Sequence, residues 1–144
     1  MKILGHPIHV MLVHFPIALF AMGFVFSLMG QTNNDSSFTM AGYYALCSGV
    51  AIGLVAGIFG AIDLVGVYKN KPNGFKTGLI HASINLAVVI VFLVIAYSRY
   101  KLYPNIPTES QTVLMIEGIT LVLMLIGNYM GAQLIFKYKV AVRE

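Results

Sequence analysis

Charge is scarce in this sequence: Asp, Glu, Lys and Arg together make up 10% of its 144 residues. Soluble domains carry about a quarter of their residues in that set. A chain with less than half that share cannot cover a folded surface with water-seeking groups, so a soluble enzyme is excluded first. Cysteine is almost absent as well. Cys47 stands alone, which excludes an internal disulfide framework and leaves the redox compartment unread. No nucleophile triad, phosphate loop or cysteine-metal cluster is present, so hydrolytic or transferase chemistry has no motif to rest on and any enzyme class stays open. The pI of about 9.3 suggests nucleic acid, but the nine Lys and Arg are spread through apolar sequence and form no basic face. No nucleic-acid partner is expected.

What the chain has is apolar length. The apolar set accounts for 58% of the residues, and the mean hydropathy is +0.84. A membrane-crossing helix needs roughly 20 mostly apolar residues, each rising about 1.5 Å through a core about 30 Å thick. Four such spans are predicted, at about 8–29, 38–67, 76–97 and 112–136, within one integral membrane domain covering 1–144. Polar breaks at 31–37, 68–74 and 99–111 separate them. Hydrocarbon offers backbone amides no partner, so the spans should be α-helices. The first span is too long for a cleavable signal peptide and carries a histidine and a proline. The expected fold is all-α: a four-helix transmembrane bundle, up-down-up-down, with both termini on one side.

Charge asymmetry orients that bundle. One side collects Lys2, Lys69, Lys71, Lys76, Lys137, Lys139 and Arg143, against Arg99 and Lys101 on the other. Positive charge favours the cytoplasm, so both termini are expected there. Tyr68, Tyr97, Tyr100, Tyr103 and Tyr138 lie near span ends, where amphipathic rings prefer the interface.

Polar side chains inside the spans carry the functional information, because each must be satisfied away from water. Span one holds His9 and His14, with His6 just before it; span two holds Asp63; span three holds His81 and Asn85; span four holds Glu117, Asn128 and Gln133. His14, Asp63, His81 and Asn128 fall at one level, on the order of 8–12 Å below the lysine-rich interface at 1.5 Å per residue. On span two, Gly42, Gly49, Gly53, Ala56, Gly60 and Asp63 form one stripe about 80° wide. The plain reading of that stripe is close helix packing; the functional reading is room for a flat cofactor.

Three chemistries suit these residues. A b-type haem takes imidazoles from two helices, and His14 with His81 is the expected pair, with Asp63 or Asn85 fixing a ring tautomer. A divalent transition metal can instead draw on His6, His9, His14 and His81 with Asp63. His9 and His14 lie about 140° apart around a helix, so one ion need not meet both. Intramembrane His, Asp and Glu also serve as proton or ion relays. Glu117 sits nearer the opposite side, and its ordinary reading is a protonated carboxyl bonded to a neighbouring helix. For His14 the ordinary reading is a hydrogen bond between helices, to a carbonyl freed by Pro16.

The opening Gly5-His6-Pro7-Ile8-His9, followed by Val13-His14-Phe15-Pro16-Ile17-Ala18, resembles a family of small bacterial membrane proteins catalogued as domain of unknown function 2231. Ala56-Gly57-Ile58-Phe59-Gly60-Ala61-Ile62-Asp63 and His81-Ala82-Ser83-Ile84-Asn85 are similar to its recurring pattern. The family often has proline after the second histidine; Val10 stands there in this chain, leaving the mouth of span one less constrained. Some relatives join this domain to a Rieske-type iron–sulfur domain, so the resemblance implies membrane electron transfer. No Rieske sequence stands in these residues, and the expected electron partner is a separate protein or a quinone. The combined expectation is a membrane protein binding haem b through His14 and His81. A non-haem metal protein and a small proton or ion transporter are the alternatives. Besides the lipid bilayer, a second copy of the chain is a possible partner.

Overall fold

The computed structural model describes the backbone of residues 2–3 and 6–140 and the side chains of residues 8–140. Gly5, Arg143 and the side chain of His6 therefore lie outside the described residues. The described residues form five helices: α1 Ile8–Leu12, α2 His14–Asn33, α3 Ser36–Asn70, α4 Pro72–Tyr100 and α5 Gln111–Phe136. A two-residue antiparallel pairing, Lys2–Ile3 with His6–Pro7, precedes them. Taken together α1 and α2 form one span, so four helical segments are long and apolar enough to cross a membrane.

Local chemistry sets each boundary. Pro16 has no N–H to offer the carbonyl of Leu12, and the first span is interrupted at Val13, one turn earlier. Asn34 ends α2 in the left-handed region (φ 51°), and the Asp35 side chain then caps α3 by accepting from the Ser37 N–H at 2.8 Å. The polar run 31–37 thus contracts to a two-residue connection. Pro72 clashes with helical geometry at the residue before it, so Lys71 leaves the helix and α4 starts at once. The expected break at 68–74 is a single residue. At 35 residues, α3 rises about 52 Å, well beyond the hydrocarbon thickness.

Helix contacts follow a descending register, higher numbers on one helix against lower on the next. Gly30 lies against Thr39, Gly23 and Ser27 against Gly42, and Phe20 against Gly49. Between α3 and α4 the contacts are Gly53 with Val89 and Leu64 with Gly78; between α4 and α5 they are Gly78 with Leu134 and Asn85 with Gly127. Phe20 and Phe92 stack at 4.2 Å in the centre, packed with Leu46, Val50, Val88, Ile95, Ala96 and Met124. Large apolar side chains such as Ile58 on α3, Leu86 on α4 and Leu125 on α5 are exposed, as lipid contact requires.

The stripe on α3 settles into close packing. A Cβ on Gly42 would stand 3.1 Å from the Gly23 carbonyl and from Ser27 Oγ, and one on Gly49 would stand 2.8 Å from the Phe20 ring. Gly53 faces Val89, and Gly60 faces His9. The space expected for a flat cofactor along this stripe is filled by neighbouring helices, because lipid gives them no better place to bury their own surface. Gly57, off the stripe, has nothing within 4 Å of its would-be Cβ. Gly42→Val should therefore cost about 1–3 kcal/mol, whereas Gly57→Val should stay within a few tenths, read as midpoints of unfolding in detergent. Equal losses at the two positions would refute the packing role.

Candidate functional site

Two histidines from separate spans meet at the lysine-rich end of the bundle. The His9 ring on α1 and the His81 ring on α4 stand 6.2 Å apart between centroids, near perpendicular at 79°. His9 Nδ1 lies 2.9 Å from the Ala56 carbonyl oxygen on α3, and His81 Nδ1 lies 2.7 Å from the Gly127 carbonyl oxygen on α5. A carbonyl can only accept, so both Nδ1 atoms carry and donate a proton. In the neutral rings this leaves the Nε2 lone pairs as the available ligands.

The same construction supports each ring. Four residues beyond Ala56 comes Gly60, and four beyond Gly127 comes Gly131, one helical turn further along the same face. A Cβ on Gly60 would stand 2.8 Å from His9 Cε1, and one on Gly131 would stand 2.8 Å from His81 Cε1. Each glycine is a notch that lets an imidazole from the next helix reach a main-chain carbonyl. Asn85, one turn after His81, donates to the His81 carbonyl at 2.9 Å, and its Nδ2 stands 3.2 Å from His81 Nδ1. With that Nδ1 donating to Gly127, Asn85 positions the turn, and the expected tautomer-fixing role falls to the Gly127 carbonyl.

The expected partner of His81 was His14, and the structure places His9 there instead; His14 is exposed on α2. The cause is azimuth. The buried face of α2 runs through Pro16, Phe20, Gly23, Ser27 and Gly30, and extending it back seven residues from Pro16 reaches His9. His14, two residues before Pro16, points about 200° away. Matched depth alone could not separate the two. Asp63 is half-buried on α3, one turn beyond Gly60. Among the described residues, no three of His, Cys, Asp and Glu come together to hold a metal ion.

A second polar centre sits at the other end, and sequence reading missed its main residue. Arg99, expected as an interfacial charge, is 3% exposed; its Nη2 donates to Glu117 Oε1 at 2.6 Å and to Ser27 Oγ at 3.1 Å. Arg99 Nε lies 2.5 Å from Glu109 Oε1, a charge contact without hydrogen-bond alignment. The available signal was periodicity: Val88, Phe92, Ile95 and Arg99 are all buried on α4, at alternating spacings of four and three. Arg99 thus continues the inward stripe. Glu117 was expected to bond a neighbouring helix, and it does.

The family described as "predicted membrane protein" under domain of unknown function 2231 matches residues 5–144. This chain belongs to that family. It is an integral membrane protein, and the resemblance carried by the histidine opening holds across nearly the whole sequence. No curated protein and no solved structure matches it.

Two measurements test the centres separately. In Gly131→Ala the added methyl should displace the His81 ring from the Gly127 carbonyl, seen as a changed ¹⁵Nδ1 shift for His81. An unmoved resonance would refute the notch. Arg99→Met should cost about 3–5 kcal/mol by leaving the buried glutamates without their cation, measured as loss of folded protein in a denaturant titration. A change under 1 kcal/mol would refute the structural role of the cluster.

Proposed function

We propose that this family member is an electron-transfer protein of the bacterial inner membrane that binds b-type haem through His9 and His81. The observation that carries this reading is the pair of imidazoles from two spans, each tied at Nδ1 to a main-chain carbonyl. His9 and His81, with ring centroids 6.2 Å apart, would hold the haem iron through their Nε2 atoms, and haem asks no more than two side-chain ligands of a protein. A protein-only metal site needs three or four ligands. The support lies in the donor set, since the glycine stripe offers no slot.

The chain's own contribution is orientation and electronics. The Ala56 and Gly127 carbonyls hold both rings in the Nδ1–H tautomer and make Nε2 more basic. Bound haem would supply reversible one-electron chemistry between a reduced donor and an acceptor, either a separate redox protein or a quinone. A through-going proton path is less well supported. Phe20, Phe92, Val88 and Met124 form an apolar layer between the histidine level and Arg99.

The descending register of consecutive helices supports an up-down-up-down bundle. With seven Lys and Arg against two, the histidine end and both ends of the sequence face the cytoplasm. Burial of Arg99 between two glutamates strengthens the asymmetry, leaving Lys101 as the exposed cation of its loop.

The test is a reduced-minus-oxidised spectrum of protein purified from haem-replete cells. A b-type α-band is expected in the wild type and in His14→Ala, and it should fall at least tenfold in His9→Ala and His81→Ala. Folded wild-type protein without that band overturns the haem reading. Retention of the band in His9→Ala overturns the ligand assignment.

A further inference from the structure

The cluster at the end of the bundle opposite the histidines carries an unbalanced charge. Arg99 contributes one cation, and Glu109 and Glu117 contribute two carboxyl groups. All three side chains are buried or nearly so, at 3%, 10% and 1% exposure for Arg99, Glu109 and Glu117. The groups facing Glu117 come from every element around it. Ser27 on α2 and Arg99 on α4 stand in one hydrogen-bonded network with it, Glu109 approaches from the α4–α5 loop, and Thr120 bonds back within α5 to Ile116. Arg99 is the only cation among them. Glu117 Oε2 is fully enclosed and has no hydrogen-bond partner. An anionic oxygen left in that position would be opposed by burial and by the charge of Glu109, whereas a carboxylic acid there leaves only a neutral hydroxyl unpaired.

We propose that the Arg99–Glu109–Glu117 cluster is a proton-binding site that holds one proton at neutral pH, carried on Glu117. The proton balances the cluster to zero net charge: one guanidinium, one carboxylate and one carboxylic acid. Binding is a simple transfer from water to a Glu117 carboxylate oxygen, and Glu109, the most exposed of the three, is the edge where water can reach. Burial also holds the Glu109 carboxyl above the usual carboxylate range, with Arg99 acting in the opposite direction. The site is independent of the histidine pair, so failure of the haem reading leaves it standing.

The chain has three glutamates, Glu109, Glu117 and Glu144, so ¹³C labelling of glutamate carboxyls gives few resonances to resolve. In full-length protein in lipid nanodiscs at neutral pH, one protonated carboxyl is expected in the wild type. It should vanish in Glu117→Gln and also in Glu109→Gln, because either change removes one negative charge and with it the need for the proton. A wild-type spectrum with every glutamate ionised overturns the proposal. So does a protonated signal that survives in Glu109→Gln, which would mean that desolvation alone holds it. Should Glu117→Gln fail to fold, the wild type and Glu109→Gln decide the question by themselves.

Discussion

A polar group in hydrocarbon has no solvent to turn to, and the interior of this protein is arranged around that constraint. Several intramembrane polar side chains meet their partners on other helices. His9 reaches a carbonyl of α3, His81 a carbonyl of α5, and Arg99 a hydroxyl of α2 and a carboxyl oxygen of α5. These bonds tie together helices that otherwise touch through apolar and small residues, whose attraction to one another differs little from their attraction to lipid. The polar contacts thus fix which helices meet and in what register.

Glycine makes the arrangement possible by two separate means. On the α2–α3 contact, Gly23, Gly30 and Gly42 let the backbones approach until main-chain atoms and small hydroxyls touch. At Gly60 and Gly131 the missing side chain admits an imidazole instead. The second use places both rings against carbonyls one helical turn earlier, so a local sequence feature, a small residue followed four positions later by glycine, becomes a seat for a histidine from another helix. The same feature serves packing in many membrane helices. Only the arriving side chain separates the two uses.

The bundle holds two polar centres with an apolar layer between them. The stacked Phe20 and Phe92 and their neighbours separate the histidine pair from the Arg99 cluster. From Asn85 to Arg99 is fourteen residues along α4, a rise of about 21 Å. That distance and the apolar side chains between keep the two polar centres structurally separate.

The four spans, their helical state and the small-residue face of α3 could be read directly from composition and spacing, because length and hydropathy respond to the membrane and to nothing finer. The stripe of α3 was legible as packing, and Glu117 was legible as a residue in need of a neighbour. The choice between His9 and His14 required azimuth as well as depth. It turned on where the buried face of α2 lies once Pro16 and Phe20 are packed against α3. Arg99 was misplaced for a related reason: a basic residue near a span end reads as interfacial until the helix is seen to continue and turn it inward. Sequence determined how much of the chain enters the membrane and which residues would need partners there. Only the packed bundle decided who those partners are, since partner choice depends on helix rotation and contact register, which no single segment encodes.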